Sequence, residues 1–208
     1  MGLISNGSTI FDAGAMASGF GGSLVFIKKL TASGSANLTF HNGTSSVVLD
    51  NTYKEYLFTF KNIHPSSNTT DFTFQANAVG ESGFNETITS VFINAYNNEA
   101  DTARAGPRFL DSDGRSQANE TVFNLLSVSE MGNDNDQCLG GYIHLFNPSS
   151  TTFVKHFMVN INQTVRDDYT FHNYASGYFN TTAAIDEIQF KMASGNIDLG
   201  DICLYGIS

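Results

Sequence analysis

Two strand-like runs near the end of the chain constrain the fold more than any other feature. Residues 184–192 read AIDEIQFKM and residues 201–207 read DICLYGI, with the polar segment SGNIDLG at 194–200 between them. In the first run Ile188, Phe190 and Met192 alternate with polar residues, which is the two-residue period of a strand with one buried face. We therefore predict that the chain closes with a β-hairpin.

The same alternation recurs along most of the chain, and turn-forming residues separate the alternating segments. The predicted strands are 23–30, 36–41, 55–63, 71–78, 87–96, 121–128, 141–146, 152–161, 169–178, 185–192 and 201–207. For residues 120–131 a short helix is the alternative. Regular strand spacing predicts an all-β chain, folded as an antiparallel β-sandwich of about ten to eleven strands.

The chain divides into a short arm and one domain. Its 208 residues suit one β-sandwich, which we assign to residues 23–208. Residues 1–22 are rich in glycine, alanine and serine, so they cannot form a core by themselves. We predict that they form an extended arm docked on this domain or on a neighbouring subunit, with a flexible tail as the alternative. The proposed apolar anchors of this assembly arm are Ile4, Ile10, Phe11, Met16 and Phe20.

The charge and hydropathy patterns argue against two classes of partner. The net charge is −10, and Lys28 and Lys29 are the one adjacent basic pair, so we expect no nucleic acid partner. No window approaches the roughly 18 apolar residues of a membrane-spanning helix, so we expect no membrane insertion. The N-terminus lacks the basic and apolar regions of a secretory signal, which predicts synthesis in a cytoplasm.

The chain offers few residues for metal or cofactor chemistry. Cys138 and Cys203 match no metal-ligand spacing, and we predict two free thiols. His144 and His156 flank a turn, but no third zinc ligand accompanies them. Oxygen ligands for calcium occur near Asp111 and at 133–136 without the EF-hand pattern. We predict no bound metal and no cofactor.

Catalytic patterns are similarly weak. The sequence contains no Gly-x-Ser-x-Gly motif, and the acids Asp186 and Glu187 are adjacent, so a strand would point them to opposite faces. Tyr56, Phe58 and Phe60 share one strand face, which we interpret as core and not as a ligand platform. We therefore predict no catalytic residues and no enzymatic activity.

The segment 97–140 has the least regular pattern of the chain. Long loops on a rigid scaffold are where binding residues concentrate, so a recognition surface is expected here first. The candidate recognition residues are Arg104, Arg108, Asp111, Asp113 and Arg115.

Four segments carry a resemblance to a known group of proteins. They are FIKKLTASGSANLTF, TYKEYLFTFKNIHPS, HLFNPSSTTFVKHF and IDEIQFKMASGNIDLGDICLYGI. They resemble small virion-associated structural proteins of tailed phages that infect marine bacteria, over about residues 23–207. The resemblance implies a jelly-roll-like sandwich that decorates the capsid surface or belongs to the tail, and it brings no catalytic motif.

These observations support a virion structural protein as the first hypothesis. Made in the cytoplasm of the host bacterium, it would form a homo-oligomer and contact other virion proteins through its arm. The alternative is a module on a tail fibre or tip that binds carbohydrate, such as a host surface glycan, or another host receptor through the segment 97–140. A virion-borne polysaccharide depolymerase is a third, weaker hypothesis.

Overall fold

A computed structural model describes residues 3–5, 8–12, 15–16, 23–111, 114–128 and 131–207, with side chains from residue 23 onward. Within these ranges the regular elements are all β-strands, which confirms the predicted all-β class. None of the described residues forms a helix that is long and apolar enough to cross a bilayer. The strands are β1 Leu3–Ser5, β2 Ser8–Asp12, β3 Ala15–Met16, β4 Leu24–Ser35, β5 Leu38–His41, β6 Glu55–Pro65, β7 Phe72–Ala78, β8 Ile88–Asn98, β9 Arg104–Phe109, β10 Ala118–Glu120, β11 Asn124–Leu125, β12 Leu139–Phe146, β13 Lys155–Thr164, β14 Tyr169–Phe179, β15 Ile185–Met192 and β16 Ile197–Ile207.

Thirteen strands, β4 to β16, form two antiparallel sheets. The larger sheet has nine strands in the order β10-β8-β14-β13-β12-β6-β16-β4, with β9 also paired to β8. The smaller sheet has four strands in the order β11-β7-β15-β5. Strands β1 to β3 pair with one another in a separate three-stranded sheet. The predicted antiparallel β-sandwich is confirmed, with slightly more strands than expected.

The predicted closing hairpin is wrong. Strand β15 pairs with β5 and β7 in the smaller sheet, whereas β16 pairs with β4 and β6 in the larger sheet. The chain crosses from one sheet to the other through residues 193–196, where Gly195 has a φ of 73°. A hairpin and a crossing between sheets need the same polar, glycine-containing turn, so the local sequence does not distinguish them.

A cluster of phenylalanines fills the space between the two sheets. Phe190 on β15 has its ring centroid 5.5 Å from that of Phe58 and 5.3 Å from that of Phe60, both on β6 of the larger sheet. All three side chains are buried, together with Tyr56. The interpretation of the aromatic face of β6 as core is consistent with this packing.

Buried amides hold the long segment after β9 against the sheets. The Gln75 Nε2 group donates to the carbonyls of Thr121 and Val122, at 3.3 Å and 3.2 Å. The Gln163 side chain accepts from the Val128 amide at 3.0 Å and donates to the Val128 carbonyl at 3.1 Å. A buried loop must pair its backbone polar groups, and here side-chain amides do so because the loop forms few strand pairs.

Candidate functional surfaces

Four of the five proposed anchors of the arm lie in the three-stranded sheet. Ile4 lies in β1, Ile10 and Phe11 lie in β2, and Met16 lies in β3. Their side chains and all of Phe20 lie outside the described residues. The docking of the arm therefore stays a prediction.

Two of the predicted recognition residues lie on the edge strand β9. Arg104 is exposed and pairs with the exposed Asp101 at 2.9 Å, a contact that solvent and salt weaken. The Nε group of Arg108 donates to Asn94 Oδ1 at 2.9 Å, and its guanidinium lies 4.9 Å from the centre of the Tyr96 ring. Arg108 is therefore held by its own sheet, while Arg104 points a weakly paired charge to solvent.

Arg115 does not join these two residues in one surface. Arg115 is 4% exposed, and its Nη2 atom lies 3.5 Å from Oδ1 of the equally buried Asp71. Asp111 is exposed, and Asp113 lies outside the described residues. Arg115 thus lies in the interior, where an external ligand cannot reach it.

A broad surface lies on the side of the nine-stranded sheet that faces away from the smaller sheet. We call it the outer face. Strand register places two rows of side chains across it. The first row contains Phe26, Tyr205, Leu57, His144, Met158, Ser176 and Val91. The second row contains Lys29, Cys203, Thr59, Tyr142, Asn160, Tyr174, Ile93 and Phe109.

The two rows combine exposed apolar groups with very little charge. Phe26 and Met158 are 57% and 56% exposed, and Tyr174 is 44% exposed. Neither row contains a carboxylate, and Lys29 at the sheet edge is the one lysine or arginine in them. On a chain with a net charge of −10, such a surface is typical of a contact site.

A hydrogen-bonded triad fixes the aromatic rings at the centre of the outer face. His172 Nε2 lies 2.7 Å from Asn160 Oδ1, and His172 Nδ1 lies 3.1 Å from the Tyr174 hydroxyl. Because the Asn160 oxygen only accepts, Nε2 carries the proton and Nδ1 accepts from the tyrosine. The two rings lie 4.1 Å apart between centroids, so Tyr174 is held against the sheet.

A cavity of about 440 Å³ opens where β4, β6 and β16 meet the segment before β12. We call it the bulge cleft, because the pairing of β16 with β6 shifts register on both sides of Leu199. Asn62 has a φ of 50°, and Gly200 has a φ of 124°. Irregular pairing of this kind redirects side chains and is common beside functional sites.

The polar groups of the bulge cleft are tied to one another. Asp201 accepts a hydrogen bond of 2.6 Å from the Thr31 hydroxyl and lies 3.4 Å from the Lys29 ammonium. The Thr31 hydrogen bond first, and then the lysine charge, lower the pKa of Asp201. His64 Nε2 lies 3.2 Å from the Asp134 carbonyl oxygen. The carboxylate of Asp201 is therefore ionised at neutral pH and already partly paired.

The two cysteines lie at different surfaces of the protein. Cys138 lines the bulge cleft, Cys203 lies on the outer face, and both are free as predicted. Burial raises the pKa of Cys138, which keeps it as a thiol at neutral pH, and a thiol is a poor nucleophile. Among the described residues, no group of three or more histidine, cysteine, aspartate or glutamate side chains could hold a metal ion. The cleft is suited to binding more than to nucleophilic chemistry.

Sequence reasoning missed both surfaces. The outer face is assembled from strands far apart in the chain, and the cleft from segments around residues 31–32, 61–64, 135–138 and 198–201. Gly200 lies inside β16, where glycine often marks a bulge, but the predicted strand began only at residue 201. Comparisons with protein-family models, curated proteins and solved structures find no match to this chain.

Proposed function

We propose that the protein is a structural component of a phage virion that works by binding copies of itself and other virion proteins. The main support for this contact function is the outer face. Its two rows expose apolar side chains and contain no carboxylate. The placement in a virion follows from the sequence resemblance alone.

The size of the outer face suits a protein contact. Neighbouring strands lie roughly 4.8 Å apart, so a row that crosses the seven strands from β4 to β8 spans about 29 Å. Stable interfaces bury about 800 Å² on each partner, so a contact of that size would include the residues that flank the two rows.

Charge supports self-association through this face. A net charge of −10 makes two copies repel each other on most approaches. Approach through the two rows brings together side chains that include no carboxylate, and the bordering carboxylates Glu55 and Asp201 are paired with His144 and Lys29, so the repulsion is reduced there. The apolar side chains then supply the attraction.

The test is the oligomeric state of the full chain by analytical ultracentrifugation over a range of concentrations. We expect a concentration-dependent oligomer that Met158→Glu dissociates, because the variant places a carboxylate within the contact. Burying such a charge costs more than 1.4 kcal/mol, so the dissociation constant should rise at least about tenfold.

The matched control is Val79→Glu, which introduces the same charge at a side chain that is 57% exposed and does not belong to the two rows. It should leave the oligomer intact. A monomer at about 100 μM, or equal behaviour of the two variants, would contradict the proposal, since apolar protein contacts reach micromolar affinity at standard interface size.

The arm supplies a separate test of attachment to the virion. Deleting residues 1–20 should leave the sandwich folded and self-associating but reduce its occupancy on assembled particles. Circular dichroism and ultracentrifugation report the first outcome, and quantitative mass spectrometry of purified particles reports the second. Normal occupancy of the truncated chain would rule out the arm as the attachment device.

A further inference from the structure

We propose that the bulge cleft binds a neutral, hydroxyl-rich ligand, namely a sugar residue of an uncharged saccharide. This inference goes beyond the structural role, because it concerns a separate site formed by different side chains. Asp198, Leu199 and His64, which the argument uses most, belong to neither row of the outer face.

The cleft is a preformed cavity, with a volume within the range of small-molecule sites, about 300–1,000 Å³. Its shape depends on backbone conformations that few residues adopt. Gly200 has a φ of 124°, and a Cβ atom there would lie 2.6 Å from the Asn62 carbonyl oxygen. The close approach of β16 to β6 therefore requires glycine, and it fixes the cleft wall without help from a ligand.

The residues that line the cleft include both hydrogen-bond donors and acceptors. Asp198 and Asp201 accept, Lys61 donates, and Asn62 and Asn135 do both. A sugar hydroxyl also donates and accepts, so neighbouring hydroxyls on one ring match such a mixed set. This arrangement favours a polyol over a ligand that only accepts or only donates.

Charge argues against ionic ligands. Two carboxylates oppose an anion, and the nearby Lys61 opposes a cation. Asp201 is in addition engaged by the Thr31 hydroxyl at 2.6 Å, which leaves it fewer free lone pairs for an ion. A neutral ligand avoids both repulsions.

A buried histidine nitrogen lies beside this polar set. Nδ1 of His64 is buried and makes no hydrogen bond within the described part of the chain. Its nearest charged neighbour is Asp198 Oδ2 at 3.5 Å, which is longer than a normal hydrogen bond. Nδ1 has no surface open to solvent, so a ligand hydroxyl would bind the exposed carboxylate of Asp198 beside it and not Nδ1 itself.

The apolar side of the cleft completes the match. Leu199 is 57% exposed and lines the cavity. A pyranose ring has one face of C–H groups and an edge of hydroxyls. The exposed leucine can pack against the C–H face while the polar groups bind the edge.

Cys138 provides a direct reporter, because it lines the cleft and is one of only two thiols in the chain. In a Cys203→Ser background, the rate of its reaction with Ellman's reagent measures access to the cleft. The probes are glucose, galactose, mannose, N-acetylglucosamine and the neutral oligosaccharide maltohexaose, with inorganic phosphate and alginate as charged comparisons.

We expect at least one neutral saccharide to slow the reaction saturably, by about tenfold at ten times its dissociation constant. The same saccharide should shift the backbone amide resonance of Gly200 in a proton–nitrogen correlation spectrum. Leu199→Ala and Asp198→Ala should each weaken protection at least about fivefold, a loss of roughly one contact. Asp167→Ala, an exposed acid outside the cleft, should leave it unchanged.

The proposal is overturned if no neutral saccharide in the panel protects Cys138 or shifts Gly200. It is also overturned if phosphate or alginate protects better, or if the two cleft variants keep full protection. Self-association is measured independently with Met158→Glu, so the failure of one proposal is distinguishable from the failure of the other.

Discussion

Replacing Phe190 by alanine tests the packing that joins the two sheets. Its ring is fully buried and lies within 6.5 Å, between centroids, of five other rings from both sheets. Removing a buried phenylalanine costs about 3–5 kcal/mol, and a protein of this kind is stable by about 5–15 kcal/mol. The five rings are Phe40, Phe58, Phe60, Phe72 and Phe74.

Phe179 is the matched control, because it is equally buried but lies near only two rings, those of Phe74 and Phe157, in the described structure. An aromatic pair contributes about 0.5–1.5 kcal/mol beyond its buried area, so three further pairs add at least about 1.5 kcal/mol. We therefore expect Phe190→Ala to destabilise the protein by at least about that much more than Phe179→Ala.

The assay is urea unfolding followed by far-ultraviolet circular dichroism, since the chain has no tryptophan. The midpoint should fall while the slope of free energy against urea stays unchanged. If Phe190→Ala fails to fold, Phe190→Leu keeps part of the buried area and allows the same comparison with Phe179→Leu. Equal losses at the two positions would refute the view that Phe190 is the centre of the inter-sheet packing.

Three further predictions concern buried or shifted charges, each measured by urea unfolding. Asp71→Ala leaves the buried Arg115 without this carboxylate and should lower the free energy of unfolding by about 3 kcal/mol or more. Asp101→Ala, at an exposed pair, should lower it by less than about 1 kcal/mol. Equal losses for the two variants would contradict this. Burial, and then a neighbouring carboxylate, raise the pKa of Asp186, so the ionised form of this side chain opposes folding as the pH rises. We expect Asp186→Asn to stabilise the protein at pH 7 but not at pH 3. A gain in stability at both pH values would contradict this. Burial lowers the pKa of Lys155, so protonation of this side chain opposes folding below the pKa that the lysine has in the unfolded chain. We expect Lys155→Met to stabilise the protein at pH 7 and to lose this advantage above about pH 11. A loss of stability at pH 7 would contradict this and show that the hydrogen bond from the ammonium to the Thr181 carbonyl matters more.

The local pattern of side chains was sufficient to predict most of the strands. Each of the eleven predicted segments overlaps an observed strand, although 121–128 contains only the short β11. Strands β9 and β10 were missed, because β9 contains Gly106 and Pro107 and both strands lie at the sheet edge with exposed side chains. A strand with neither face buried lacks the alternation on which the prediction depends.

The candidate sites were far less predictable. Arg115 sits in a polar segment that looks like an exposed loop, yet it pairs with Asp71, 44 positions earlier, inside the protein. Nothing near Arg115 in the chain identifies that partner. The bulge cleft depends in the same way on the register between β16 and β6, which are separated by more than a hundred residues.

The alternation of apolar and polar residues by itself determined which side chains of each strand face the core, because neighbouring side chains on a strand point in opposite directions. It therefore determined the all-β class and the burial of Ile188, Phe190 and Met192. The tertiary structure alone decided which strands are neighbours, and hence that β15 and β16 lie in different sheets. Pairing and register are set by contacts between distant segments, so the outer face and the bulge cleft exist only in the folded chain.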